Sequence, residues 1–316
     1  MAINNISIIL PVYNEEDVIK KFYNSLLNEI KNITEFNFRI LFVVDKSKDS
    51  TEVIIRDLIK NSNQEFPTKA ILMSTRFGHQ ECLIAGIKNS LDSDAIIMMD
   101  CDFQHPISLL KDLLQKYKEG YDIVNTVRNS NIHSNIVKKL GTLIFYKIIK
   151  CITNIKLSEN SADFRLINKK IANIIINNYK EKNIFLRGIV SLIGFRSVNV
   201  SYNYDKRLLG KTKYTFSKML KFALNGIFSF SNKPLYLILY SGLVLFFFSF
   251  ISIIYYILAF FLDLTLPKGW SSLIVAIFFF GSVQLIFIGI LGVYIAKIFD
   301  EIKKRPSFLI SEIVEK

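Results

Sequence analysis

Ala95-Ile96-Ile97-Met98-Met99-Asp100-Cys101-Asp102-Phe103-Gln104-His105-Pro106 decides how the rest of the chain is read. Its first five residues are apolar without alternation, which predicts a strand buried on both faces, as in a parallel sheet covered by helices. The run stops at two carboxylates one residue apart, followed by a side-chain amide, an imidazole and a proline. Ligands in open α/β sheets bind beyond the carboxyl ends of the strands, so this cluster falls where a ligand would be held. Asp-x-Asp with Gln offers the hard oxygen donors that Mg2+ or Mn2+ takes, with water and a substrate's phosphates filling the other positions. Taken alone, the pattern also fits a strand end capped by a turn, with both acids merely solvated.

Outward from this stretch the chain alternates strands and helices. Strands are expected over 6–12, 38–45, 70–73, 95–99 and 122–127, and helices over about 51–60, 80–90 and 107–119. Asn14 is expected to cap a first helix that buries Val18, Phe22, Leu26 and Ile30 on one face. This alternation predicts a doubly wound, mostly parallel sheet. Further on, an amphipathic helix is expected over 136–153, strands near 162–166 and 198–202, and helices near 169–178 and 185–193. A basic loop over 204–213 contains Gly210, and a helix over 215–230 suits the membrane interface.

Two uncharged apolar runs follow, 235–262 and 270–296. Each exceeds the roughly 20 residues that cross the hydrocarbon layer, so two transmembrane helices are expected. Lys and Arg collect before the first run and after the second, while the linker has only Lys268. The positive-inside rule then puts both termini and the catalytic domain in the cytoplasm. The 316 residues carry a net charge of +13 and are 51% hydrophobic. An acidic partner is expected; nucleic acid is not, because the charge gathers beside the spans and no recognition motif appears. Three scattered cysteines argue for a reducing compartment and against zinc or a disulfide framework. The first strand-like run and the acids at Glu15, Glu16 and Asp17 read as domain, not signal peptide.

Several strand ends share one edge: Pro11-Val12-Tyr13-Asn14-Glu15-Glu16, Asp45, Arg76-Phe77-Gly78-His79-Gln80, the Asp100–Pro106 string and Arg128. With Asp163-Phe164-Arg165-Leu166, Arg187-Gly188 and Arg207-x-x-Gly210-x-Thr212-Lys213-Tyr214, this order resembles the family 2 glycosyltransferases of the GT-A fold. It resembles most their polyprenyl-phosphate branch, the dolichyl-phosphate mannose synthases and bactoprenol glucosyltransferases. The resemblance implies a GT-A domain over 1–214, an interfacial region over 215–234, a two-helix transmembrane hairpin over 235–297 and a cytoplasmic tail over 298–316. It implies an inverting, metal-dependent hexosyltransferase of the inner or plasma membrane, taking a nucleotide sugar (UDP-glucose favoured) and undecaprenyl phosphate, and assembling as a homo-oligomer, a tetramer.

By the same resemblance Pro11, Tyr13, Glu15, Asp45, Asp100, Arg207 and Lys213 would bind the nucleotide sugar. Asp100, Asp102 and Gln104 would hold Mg2+ or Mn2+, Arg128 would receive the acceptor phosphate, and Asp163 lies where a catalytic aspartate is proposed. The family's Val-Asp-Asp-Gly-Ser-x-Asp-x-Thr is here Val44-Asp45-Lys46-Ser47-Lys48-Asp49-Ser50-Thr51, one residue and one acid short. Simpler readings stand beside these. Glu15 and Glu16 also suit a helix start, Arg165 and Arg187 a bracing role, and His79 and His105 hydrogen-bonded loops. Cys101 reads as a small filler. An already ionised acceptor phosphate leaves Asp163 either to orient or to act as base. A processive polysaccharide synthase would carry Gln-x-x-Arg-Trp, but Trp270 is the sole tryptophan. A silent nucleotide-binding membrane scaffold would not need the acids.

Overall fold

A computed structural model describes residues 4–62, 65–128, 161–182, 184–202, 233–261 and 269–316. The helices expected over 136–153 and 215–230, the whole 204–213 loop with Arg207 and Lys213, and nearly all of the linker lie outside the described residues.

Two compact units divide the chain: residues 1–136, 155–212 and 305–316 form one, and 137–154 with 213–304 the other. The first is built on an eight-stranded sheet of order β7-β5-β6-β4-β1-β2-β3-β8. Its strands are β1 (Asn4–Val12), β2 (Phe36–Val44), β3 (Thr68–Met73), β4 (Ala95–Met98), β5 (Ile123–Arg128), β6 (Ser161–Asn168), β7 (Ser197–Tyr202) and β8 (Ile310–Val314). The run β3-β2-β1-β4 is parallel throughout. β6 runs antiparallel between β4 and β5, and β7 is parallel to β5.

Alternation along β1 divides the core into two layers. Ile6, Ile8 and Leu10 face a cluster with Phe22 and Leu26 of α1 (Ile19–Lys31), Ile55 of α2 (Thr51–Lys60) and Leu110 and Leu113 of α4 (Leu109–Lys118). Ile9 faces the other cluster, with Leu83 of α3 (His79–Lys88), Ile171 and Ile175 of α5 (Lys169–Asn178) and Leu186 and Ile189 of α6 (Leu186–Leu192). β4 is buried along its whole length, as its unbroken apolar run predicts.

Two expectations need correction. Asn14 does not cap α1: the helix begins at Ile19 after Val18, and Asn14 sits at a φ of 54° with its side-chain oxygen accepting from the Lys48 amide. The tail expected over 298–316 is not a separate segment, because its residues 305–316 belong to the first unit and 310–314 add β8, antiparallel to β3. Arg56 donates to both carboxylate oxygens of Glu312, and Lys69 pairs with Glu315, which fixes this edge.

The second unit contains α7 (Lys233–Phe261) and α8 (Trp270–Ile302). Within α8, Phe279–Ile302 is long and apolar enough to cross a membrane, and none of its most apolar window is buried. Among the described residues of α7 the comparable apolar stretch is shorter, Lys233–Phe248.

Gly86 gives the fold a sharp test. A Cβ there would stand 2.4 Å from Cγ2 of Ile9 and 3.2 Å from Cγ2 of Val43, both in the sheet core. Ala gains about 1 kcal/mol of helix propensity over Gly, but forcing a methyl into a packed core costs about 1–3 kcal/mol. Gly86→Ala is therefore expected to destabilise the first unit, read as a lower midpoint in thermal or urea unfolding; an unchanged or raised midpoint would contradict this packing.

Candidate active site

β1, β2, β4, β5 and β7 all end at one rim, and antiparallel β6 begins there. Met98 pairs with Arg165, so continuing that register by two residues brings Asp100 to the position opposite Asp163. Arg128 pairs with Tyr202 at the ends of β5 and β7. Local backbone completes the rim. Gly78 takes a φ of 109°, where a side chain would be strained, and this turn starts α3 with His79 at its first position. Phe103 takes a φ of 56°, uncommon for a bulky residue, and its ring packs edge-on to Phe22 at 5.3 Å. That contact holds the bend which separates Asp102 from Gln104.

Asp163 is the most heavily engaged group. Only 8% exposed, it accepts from Nε and Nη2 of Arg187, both at 2.7 Å, while Nη2 of Arg165 lies 3.5 Å away and Nε2 of His79 3.4 Å. Burial alone would raise its carboxyl, but Arg187 and His79 outweigh it and hold it far below the usual carboxylate range. Arg165 is 1% exposed, and burial brings its guanidinium down to about 10 although Asp163 pulls the other way. It remains charged at neutral pH.

His79 bridges the two acids, its Nε2 also lying 3.7 Å from Oδ1 of Asp100. Burial opposes its protonation, yet Asp163 and Asp100 win and raise its pKa. The Nε2 of buried His105 is 3.4 Å from Oδ2 of Asp100. Desolvation of Asp100 is likewise outweighed, by His105 and His79, so its carboxyl is lowered. Cys101 between the acids has its thiol pushed up by burial and stays a neutral filler.

Asp100 and Asp102 are both half-exposed at the rim. Gln104, expected as a third oxygen ligand, donates its backbone amide to Oδ1 of Asp102 at 3.1 Å and its side-chain amide to Oδ2. In this structure it braces Asp102. Among the described residues no three His, Cys, Asp or Glu side chains gather to cage a metal. Two accessible carboxylates fit a cation that draws its other ligands from water and phosphate, as Mg2+ and Mn2+ do.

Asp45 is 3% exposed and accepts from the amides of Phe77 and Gly78 at 2.8 and 3.0 Å. It ties β2 to the turn before α3. The loop that departs from the family pattern is knitted to the loop after β1: Asn14 N donates to Ser47, Glu15 N to Thr51 Oγ1 and Glu16 N to Asp49, while Ser50 N donates to Glu16. Pro11 is buried, Glu15 is half-buried, and Tyr13 lies under the Arg76 guanidinium at 4.2 Å from its ring centre. The sequence puts His79 in the shared-edge motif but reads it only as a loop histidine, and reads Arg187 only as a brace, because the contact of each with Asp163 joins separate elements. Tyr202 was also missed, though ending a strand-like run at the same edge was a usable signal.

The Asp163 cluster predicts its own pH behaviour. A carboxyl lowered in the folded state stabilises fully above its unfolded pKa of about 4, and this stabilisation is lost progressively as pH falls from there toward the lower folded value. Asp163→Asn leaves Arg165 buried without its counter-charge, which costs on the order of 3 kcal/mol. The loss should appear in unfolding at pH 7 and shrink toward pH 2; a loss independent of pH would contradict the ion-pair account.

Comparison with known proteins agrees with this geometry. The family Glycosyl transferase family 2 matches residues 7–176. The uncharacterized glycosyltransferase YkcC of Bacillus subtilis (strain 168) is 39% identical over 97% of this chain and 93% of its own. The prophage bactoprenol glucosyl transferase homolog of Escherichia coli (strain K12) is 35% identical over 98% of this chain and 99% of its own. The bactoprenol glucosyl transferase of Shigella phage SfV is 34% identical over 98% and 99%.

Proposed function

The chain belongs to glycosyl transferase family 2, and from that premise we propose that it moves a hexose, with inversion, from a nucleotide sugar to a membrane polyprenyl phosphate. UDP-glucose is the favoured donor and undecaprenyl phosphate the acceptor. The observation that carries the reading is the likeness to proteins named bactoprenol glucosyl transferase, which runs over 98% of the chain, apolar helices included.

The rim chemistry supports it. Transfer forms a bond from an acceptor phosphate oxygen to the anomeric carbon and breaks the bond from that carbon to the nucleoside diphosphate. A phosphomonoester with a second pKa near 6 is largely dianionic at neutral pH, so no proton need be removed from it. Asp163, kept ionised by Arg187 and Arg165, is a weak base and suits orientation of Arg187 and His79. Arg128 meets the acceptor phosphate as a fixed cation. Asp100 and Asp102 would hold Mg2+ or Mn2+, which supplies positive charge to the departing diphosphate. Pro11, Tyr13 and Glu15 line the nucleotide side in this reading, with Arg207 and Lys213 from the basic loop. Asp45 acts by holding the turn at Phe77 and Gly78.

Connectivity supports the proposed membrane topology. The chain leaves the first unit before α7 and rejoins its sheet at β8 after α8, so the number of crossings between them is even. If α8 spans, a second crossing is needed before it, which this reading assigns to α7, and the two ends of the sheet then share one side, taken as cytoplasmic from the distribution of Lys and Arg. A cysteine introduced by Lys268→Cys should react with a membrane-impermeant maleimide in intact cells, whereas one at the C-terminus should react only after lysis. The opposite pattern would reverse the topology.

The direct test is transfer of labelled glucose from UDP-glucose to undecaprenyl phosphate in isolated membranes with Mn2+. Asp102→Asn should lower the rate on the order of a hundredfold. Full activity in that variant would remove the carboxylate pair from the mechanism, and absence of transfer by the native chain would refute the acceptor or donor assignment.

A further inference from the structure

Groups from three strand ends form one line across the rim. The Tyr202 hydroxyl, buried at the end of β7, is 2.8 Å from Nδ1 of His105 and accepts from Nε of Arg128 at 3.0 Å. On its other side His105 reaches Asp100, its Nε2 lying 3.4 Å from Oδ2. The ring is 1% exposed and packs between Phe164 at 5.5 Å and Tyr202 at 5.6 Å, so it has little room to turn.

Proton accounting gives this line a direction. Arg128 Nε–H can only donate, so the Tyr202 oxygen accepts there and has its own proton to give. His105 Nδ1 accepts that proton through its lone pair, so an Nε2–H tautomer faces the Asp100 carboxylate across 3.4 Å, an ion-pair distance without hydrogen-bond geometry. The opposite tautomer would point a lone pair at the carboxylate and two N–H groups at one phenol oxygen.

We propose that His105 and Tyr202 are positioning residues that couple the Arg128 guanidinium to the Asp100 carboxylate and so hold the acceptor-side cation and the donor-side acid in one fixed relation. The role rests on the reading above in which Arg128 meets the acceptor phosphate. Nε is the guanidinium nitrogen nearest the main chain, so a bond there fixes the roll of the whole plane about its stem. Transfer between two bound reactants depends on that kind of fixity, and displacements of about 1 Å matter. A buried Tyr–His pair that only braced the sheet would affect stability without distinguishing one substrate from the other.

The test uses the full-length chain in detergent. Tyr202→Phe removes one oxygen and keeps the ring. It should raise KM for undecaprenyl phosphate about tenfold while leaving KM for the nucleotide sugar and the Mn2+ requirement within about twofold. His105→Gln, whose amide reaches the Nε2 position, should reproduce that defect. His105→Asn, whose amide stands near Nδ1, should instead weaken the Mn2+ response and spare the acceptor KM. Equal losses in all parameters, or a lowered melting temperature with no selective change in acceptor KM, would overturn the coupling. A second measurement is independent of turnover. The chain has three histidines, so 15N-histidine labelling resolves the His105 ring by NMR. The native protein should display the Nε2–H tautomer, and the ring shifts should move in Tyr202→Phe. A Nδ1–H tautomer, or an unmoved ring in that variant, refutes the coupling. If the native chain does not use undecaprenyl phosphate, the proposed function is what fails, and the ring spectrum still decides this line.

Discussion

Strand β6 runs against its neighbours, and the rim depends on that reversal. Strands β1, β2, β4 and β5 all deliver their carboxyl ends to one edge, which by itself would gather acids there: Asp45, Asp100 and Asp102. Because β6 is antiparallel between β4 and β5, it enters at that edge and brings Asp163 to it, with Arg165 two residues further in. An additional acid would worsen the repulsion if it came alone. It comes instead with Arg165 below it and Arg187 across it, and the cluster keeps a buried carboxylate ionised. Removing Arg165 from water is costly, and buried ion-pair clusters replaced whole by apolar groups are often as stable or more so. Such a core would lose the fixed charges on which the rim chemistry relies.

Fixity is a second theme, and it is achieved by linking loops to one another. Asp45 clamps the two amides of the turn before α3, and the loops after β1 and β2 exchange hydrogen bonds through Asn14, Glu16, Ser47 and Asp49. A positive φ at Asn14 falls inside the loop after β1, and another at Phe103 inside the loop after β4. A bulky residue in that conformation costs on the order of 1–3 kcal/mol, which the edge-on contact of Phe103 with Phe22 helps to offset. The backbone is thus held in shape before any ligand arrives, and preorganised charges are worth most when nothing need rearrange around them.

The framework was readable because its signals are local. The bare run at 95–99, the short apolar run of β1 and the i, i+3, i+4, i+7 spacing of buried residues in α1 each report a single element. Asp100 and Asp102 were readable for the same reason: they sit next to each other in sequence and at the end of a strand. What escaped was pairwise and long-range. Arg187 meets Asp163 from 24 residues away, Tyr202 meets His105 from 97, and β8 meets β3 from across the whole chain. Asn14 misled because Asn suits an N-cap and a left-handed turn equally well, and only the partner at Lys48 decides which. Asp45 and Gln104 illustrate a related limit. Their types suit a ligand role, yet both direct hydrogen bonds into the protein, to backbone amides and to Asp102.

β8 shows how a sheet edge and a membrane topology can be one problem. Without it β3 would present an open edge, a standing invitation to pair with another chain. β8 covers that edge, and Glu312 within it and Glu315 just after it are matched to Arg56 and Lys69. Surface pairs of this kind contribute little individually, so the docking draws mainly on backbone pairing and on Ile310, which packs against the core. Yet the consequence reaches beyond stability. If the apolar helices cross a membrane, a chain in which β8 belongs to the same sheet as β1 must return to the side it left. The sheet therefore constrains the helices through covalent connection alone, independent of hydropathy or the distribution of lysines.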